Sequence, residues 1–159
     1  MPVEMFLKLA GIEGESSDAK HKGEIDVLAW SWGLSETGSA SGGGSGAGRA
    51  KIESLSVEKL VDLASPLLLL FSAQGKHISD GTLATRRPGK ASEDFLLFKM
   101  TDVIVTSVHM TASKETNEPA ENITLSFGKM ELDYRPTKPD GSLGPGTSFK
   151  WDVAGNKPS

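Results

Sequence analysis

The three histidines of this 159-residue chain, His21, His77 and His109, are the side chains best suited to acid–base or metal chemistry near neutrality. They lie far apart, no two form an i, i+4 pair, and no H-E-x-x-H occurs. The chain has no cysteine. A zinc site would therefore have to gather histidines and carboxylates from distant strands. The spacing predicts exposed loop and strand histidines, with no metal and no cofactor. Nucleophilic catalysis is no better served. There is no G-x-S-x-G elbow, and many serines sit in a glycine-rich run at residues 38–48, a poor mount for a nucleophile. Glu93 and Asp94 adjoin in a polar turn, where solvation is the ordinary fate of such a pair. The glycine run does not match a phosphate loop either. Gly48 is followed by Arg49 and Ala50, not by Lys and Ser or Thr, and the next element is a strand. The sequon Asn122-Ile123-Thr124 falls inside a predicted strand and reads as chance. No catalytic constellation emerges, and the chain is expected not to be an enzyme.

The elements that would have to position any site read as follows. A first strand covers residues 3–9, with Val3, Met5, Leu7 and Leu9 on one face and Phe6 breaking the polar alternation on the other. A polar loop follows at residues 14–23, then a longer strand at residues 24–35. There Ile25, Val27 and Ala29 alternate with Leu28, Trp30 and Trp32, so both faces look dry. Residues 38–48 form a long inserted loop, and residues 51–61 resume strand character. Ser65 as N-cap, Pro66 at the first turn and Gly75 as C-cap bracket one short helix, apolar all round from Leu67 to Phe71. Further strands are predicted at residues 81–86, 94–101, 103–112, 121–135 and 148–153. In the strand from Glu121, apolar parity switches at Gly128–Lys129, the mark of a bulge or bend. The sum is about eight strands and one helix. This is a mainly β, two-sheet antiparallel β-barrel with one short α-helix and a long inserted loop, in a single domain over residues 1–159.

Composition narrows the partners. The net charge is −4 and the pI about 5.4, which argues against a nucleic-acid interface. No apolar run approaches the ~18 residues of a membrane span, so no direct membrane insertion is expected. Residues 1–9 lack the basic and apolar regions of a Sec signal, so the expected location is cytoplasmic unless a dedicated machine exports the chain. Surplus apolar surface on a strand and on the helix points to self-association.

One family is similar along nearly the whole chain. Met5-Phe6-Leu7-Lys8-Leu9, the run Gly11 to Ser16, His21-Lys22 with Ile25 to Leu28, and Ser31-Trp32-Gly33 resemble the opening of the hemolysin-coregulated proteins (Hcp) of type VI secretion. Ala64-Ser65-Pro66 through Gly75-Lys76-His77, then Thr101-Asp102-Val103, Asn122 to Leu125, and Phe127-Gly128-Lys129 with Asp133-Tyr134 follow in the same order. The resemblance implies a hexameric ring. Rings would stack into an inner tube that meets sheath, spike and baseplate proteins and leaves the cell without a signal peptide. The ring lumen would hold small effector proteins. It implies Ser31 as a lumen residue by alternation with the tryptophans, and Trp30, Trp32, Gly42, Gly43, Gly44 and Gly46 as ring or stacking contacts. Two rivals stand beside it. A monomeric β-barrel ligand-binding module would need a pocket with convergent polar groups, and a secreted hydrolase would need a nucleophile–base pair.

Overall fold

The computed structural model describes residues 2–38, 49–89 and 93–159. Along the chain run β1 (Glu4–Leu9), β2 (Ile25–Val27), β3 (Ala29–Ser31), β4 (Leu34–Glu36), β5 (Ala50–Ile52), β6 (Leu55–Leu60), α1 (Ser65–Gln74), β7 (His77–Arg86), β8 (Asp94–Thr111), β9 (Ala120–Tyr134), β10 (Thr147–Asp152) and β11 (Lys157–Pro158). The protein is mainly β, its sheets are antiparallel, and α1 is the one helix among the described residues. No helix there is long and apolar enough to cross a membrane.

A nine-stranded sheet follows the order β11-β10-β9-β8-β7-β1-β2, with β6 joined to β9 and β3 joined to β6. β4 and β5 pair separately as a two-stranded ribbon. The main path does not return on itself, so these ladders do not draw a closed barrel. Inward residues from every long strand meet in one core. Leu7, Leu9, Ile25, Leu55, Val57, Leu83, Phe98, Met100, Val103, Val105, Ile123 and Leu125 are all buried there. Leu68 and Phe71 of α1 close it.

A left-handed kink explains the apolar parities. Asp102 takes a left-handed φ of 57°, and Gly128 lies opposite it between the pairs Thr101–Lys129 and Val103–Phe127. Buried residues change parity there on both strands, from Phe98 and Met100 to Val103 and Val105, and from Phe127 to Met130. The predicted switch at Gly128–Lys129 is present. The break expected at Asp102 is a left-handed kink, with no shift of register, inside one continuous 18-residue strand.

The strand predicted over residues 24–35 is three short ones. The ladder breaks at Leu28, whose N–H donates to Glu58 O at 2.8 Å. The break reverses parity, so Ile25 and Val27 point inward, and so do Trp30 and Trp32. Most of the two dry faces is thus one inward face read through a kink, while Leu28, Ala29, Ser31 and Leu34 are exposed.

The helix start also differs. Ala64 is the N-cap and Ser65 is already helical, while the Asp62 carboxylate accepts the Ala64 N–H at 2.9 Å and Ser65 Oγ accepts the Asp62 N–H at 2.9 Å. Pro66 and the left-handed Gly75 sit at the two ends as their chemistry requires. The helix is not surrounded. Leu67, Leu69 and Leu70 are exposed, beside Leu63 at 62%.

Candidate functional site

The outward face of β3, β6, β9 and β8 is built from small hydrogen-bonding side chains. Inward apolar residues on these strands force the alternate positions out, and those positions carry Ser31, Ser54, Ser56, Asn122, Thr124, Ser126 and Ser107. Ser31 pairs in register with Ser56, whose hydroxyl donates to Asn122 Oδ1 at 3.1 Å. The Ser54 and Ser126 hydroxyls meet at 3.1 Å. A bulge between Val105 and Ser107 sets Thr106 and Ser107 each 2.6 Å from Thr124 Oγ1. An open concavity of about 200 Å³ lies over Ala29, Trp30, Ser31, Ser56, Glu58 and Asn122. Glu58 is its one charged group. Among the described residues no hydroxyl of this face is hydrogen-bonded to a carboxylate or a histidine, so the face presents a hydrogen-bonding carpet.

Trp30 and Trp32 stand on the other side of the same strand path. Both rings meet Phe98 edge-on, at 6.2 and 5.2 Å between centroids. Their N–H groups donate to Thr85 Oγ1 at 3.3 Å and to the Glu53 carbonyl at 2.8 Å. Both remain half-buried. Gly42, Gly43, Gly44 and Gly46 lie outside the described residues. The β4–β5 ribbon leads to them, and Thr37 Oγ1 donates to Arg49 O at 2.9 Å just beyond its paired residues.

The histidines do not converge. His77 Nδ1 lies 2.6 Å from Asp102 Oδ1 at an exposed position, and His109 is exposed on β8. His21 is buried, contrary to the exposed loop position expected of it, because its ring stacks on Phe6 at 4.5 Å. That contact also accounts for the large apolar residue on the polar face of β1. Glu93 and Asp94 part ways, since Asp94 reaches His21 at 2.9 Å and Glu93 is exposed. Among the described residues no three His, Asp or Glu side chains gather as metal ligands.

A second concavity, of about 140 Å³, is lined by Glu15, Asp26, Asp62 and Glu118 with Leu28, Leu60 and Val61. Burial pushes the Asp26 carboxyl above the usual range, and the charges of Asp62, Glu15 and Asp18 add to it.

Below it lies a cluster that sequence reading passed over. Lys59 and Glu121 are fully buried and paired, and Lys59 Nζ also donates to Asp62 Oδ1 at 2.8 Å. Ser65 Oγ donates to Glu121 Oε1 at 2.8 Å. A signal was present. Lys59 shares parity with Leu55 and Val57, and Glu121 with Ile123 and Leu125, so both charges sit on strand faces that point inward.

A sequence profile of the family described as "Type VI secretion system effector, Hcp" matches residues 6–134. The chain is 38% identical over 159 residues to Protein hcp1 of Pseudomonas aeruginosa, covering 98% of each chain. Among solved structures, one described as a type six secretion system protein superposes with a TM-score of 0.92 at 28% identity, covering 99% of this chain and 100% of that one. A type VI secretion system effector from Yersinia pestis gives 0.77 at 39% identity, covering 94% and 99%. Hcp1 from Salmonella typhimurium gives 0.79 at 31% identity, covering 100% of both.

Proposed function

The chain belongs to the Hcp family of type VI secretion, a tube subunit and not an enzyme, and from that premise we propose that six copies close into a ring which stacks on further rings. Residues 1–159 act as one domain in this reading. The observation that carries it is the apolar surface left outside by a single subunit: Leu28, Leu63, Leu67, Leu69 and Leu70 are all exposed. A ring needs two different covered faces on each subunit. Trp30, Trp32 and the glycines Gly42, Gly43, Gly44 and Gly46 are the candidate contacts between subunits or rings. A barrel-like curl would suit such a ring. In its favour, β2 and β3 are separated by Leu28 alone, and they link β1 on one side to β6 and hence β9 on the other.

The hydroxyl face around Ser31 is the proposed lumen wall, where small effector proteins would rest before export. Its small, mostly neutral side chains, many hydrogen-bonded to one another, suit a surface that holds cargo loosely. Sheath, spike and baseplate proteins would be the outer and terminal partners. The subunit would be made in the cytoplasm and leave with the tube.

The absence of native cysteines makes a direct test available. Ser31→Cys in assembled rings should react with a small maleimide and resist the same reagent tethered to a bead too large to enter. Equal reaction with both would place Ser31 on the outside and end the lumen assignment.

A further inference from the structure

His21 holds two carboxylates at once. Its Nδ1 lies 3.0 Å from Glu24 Oε1 and its Nε2 lies 2.9 Å from Asp94 Oδ1. An ionised carboxylate only accepts hydrogen bonds, so both contacts need an N–H, and only the imidazolium has two. A neutral ring would turn a lone pair toward one of the two oxygens.

Charged groups surround the ring. On its own loop stand Asp18 and Glu24, and on β8 stands Asp94. From β1 comes the Phe6 ring, stacked on the imidazole with a 9° tilt, and Glu4. From β7 comes Arg86, its guanidinium 4.9 Å from the Phe6 centroid. Arg86 is already held by both Asp18 oxygens, with Glu4 a further 3.5 Å away. Asp18 and Glu4 thus face Arg86, while Glu24 and Asp94 face His21.

The node also has a mechanical role. Residues 14–24 form a closed loop, tied by Gly14 N to Gly23 O and Gly23 N to Ser16 O, both 2.8 Å, and by Ser16 N to Glu24 O at 2.9 Å. The loop meets the strands through Asp18 on β7 and through His21 on β8. We propose that His21 is a protonation-dependent latch: as imidazolium it clamps the 14–24 loop to the start of β8, and on losing its Nε2 proton it releases Asp94 and frees the loop. The sign follows from the donors. The latch holds while the carboxylates are ionised and the ring is charged, and it weakens as pH rises. It is independent of ring formation.

The test is amide hydrogen exchange of the full chain, read on peptides spanning residues 14–24 at about pH 6 and about pH 8.5. After correction for intrinsic exchange, protection should fall about tenfold or more at the higher pH, the loss of one charge-assisted hydrogen bond. Asp94→Asn should abolish the fall, because an amide N–H can serve the neutral Nε2 and an amide oxygen the charged one. His21→Gln should be equally flat with pH. If His21→Gln does not fold, Asp94→Asn decides alone. Nitrogen NMR at about pH 6 should find a proton on both ring nitrogens of His21. Protection that is flat with pH in the parent chain, a wild-type fall retained in Asp94→Asn, or a bare ring nitrogen at the lower pH would each overturn the proposal.

Discussion

Lys59 and Glu121 show how far a single charge can matter in this chain. Both are fully buried, and Glu121 Oε2 has no hydrogen-bond partner. Lys59→Met would leave Glu121 and Asp62 facing each other without a cation and should cost about 3–5 kcal/mol in urea unfolding. Replacing Glu121 by Met as well should recover much of that loss, since a buried pair contributes little net stability over a well-packed apolar one. Asp18 is a case of the opposite kind. The fork of the Arg86 guanidinium lowers its carboxyl to about 2. A depressed carboxylate stabilises the fold above its unfolded value and loses that contribution as pH falls through the folded one. Thermal unfolding of Asp18→Asn should therefore lag the parent at pH 5 and draw level as pH falls toward 2. A constant gap across that range would contradict the assignment.

At the scale of elements, α1 separates packing from assembly. Leu68 is fully buried, and Leu68→Ala should cost about 2–5 kcal/mol. Leu67→Ser with Leu70→Ser removes exposed side chains, so subunit stability should move by no more than about 0.5 kcal/mol. If α1 lies in an assembly surface, the same pair should lower the particle mass. Gly14 has the opposite tolerance. A Cβ there would fall 2.5 Å from Glu24 O, so Gly14→Ala should disrupt the 14–24 loop and shorten its exchange protection. Much of this was legible in the sequence. The switch at Gly128, the helix between Pro66 and Gly75 and the strand from Glu121 each carry a local signal of parity or cap chemistry. The break at Leu28 does not. Apolar side chains occupy both parities there, so alternation cannot reveal which set turns inward after a kink. The cap is a similar case, because Asp62 serves the helix start by a tertiary arrangement with Lys59 and Ser65. For Ser31 the sequence offers the family resemblance and alternation with the tryptophans, whereas its hydroxyl neighbours come from β6, β9 and β8, distant in sequence.

For the whole molecule, one subunit accounts for its core and leaves its apolar helix face exposed. A tube subunit resolves that imbalance through copies of itself, and membership of the Hcp family gives it a context in type VI secretion. Light scattering after size exclusion tests the central claim most directly. A hexameric ring predicts a particle of about 101 kDa, six times the 16.8 kDa chain. A particle that stays at the mass of one chain, 16.8 kDa, at high concentration would contradict it and restore the monomeric binding module.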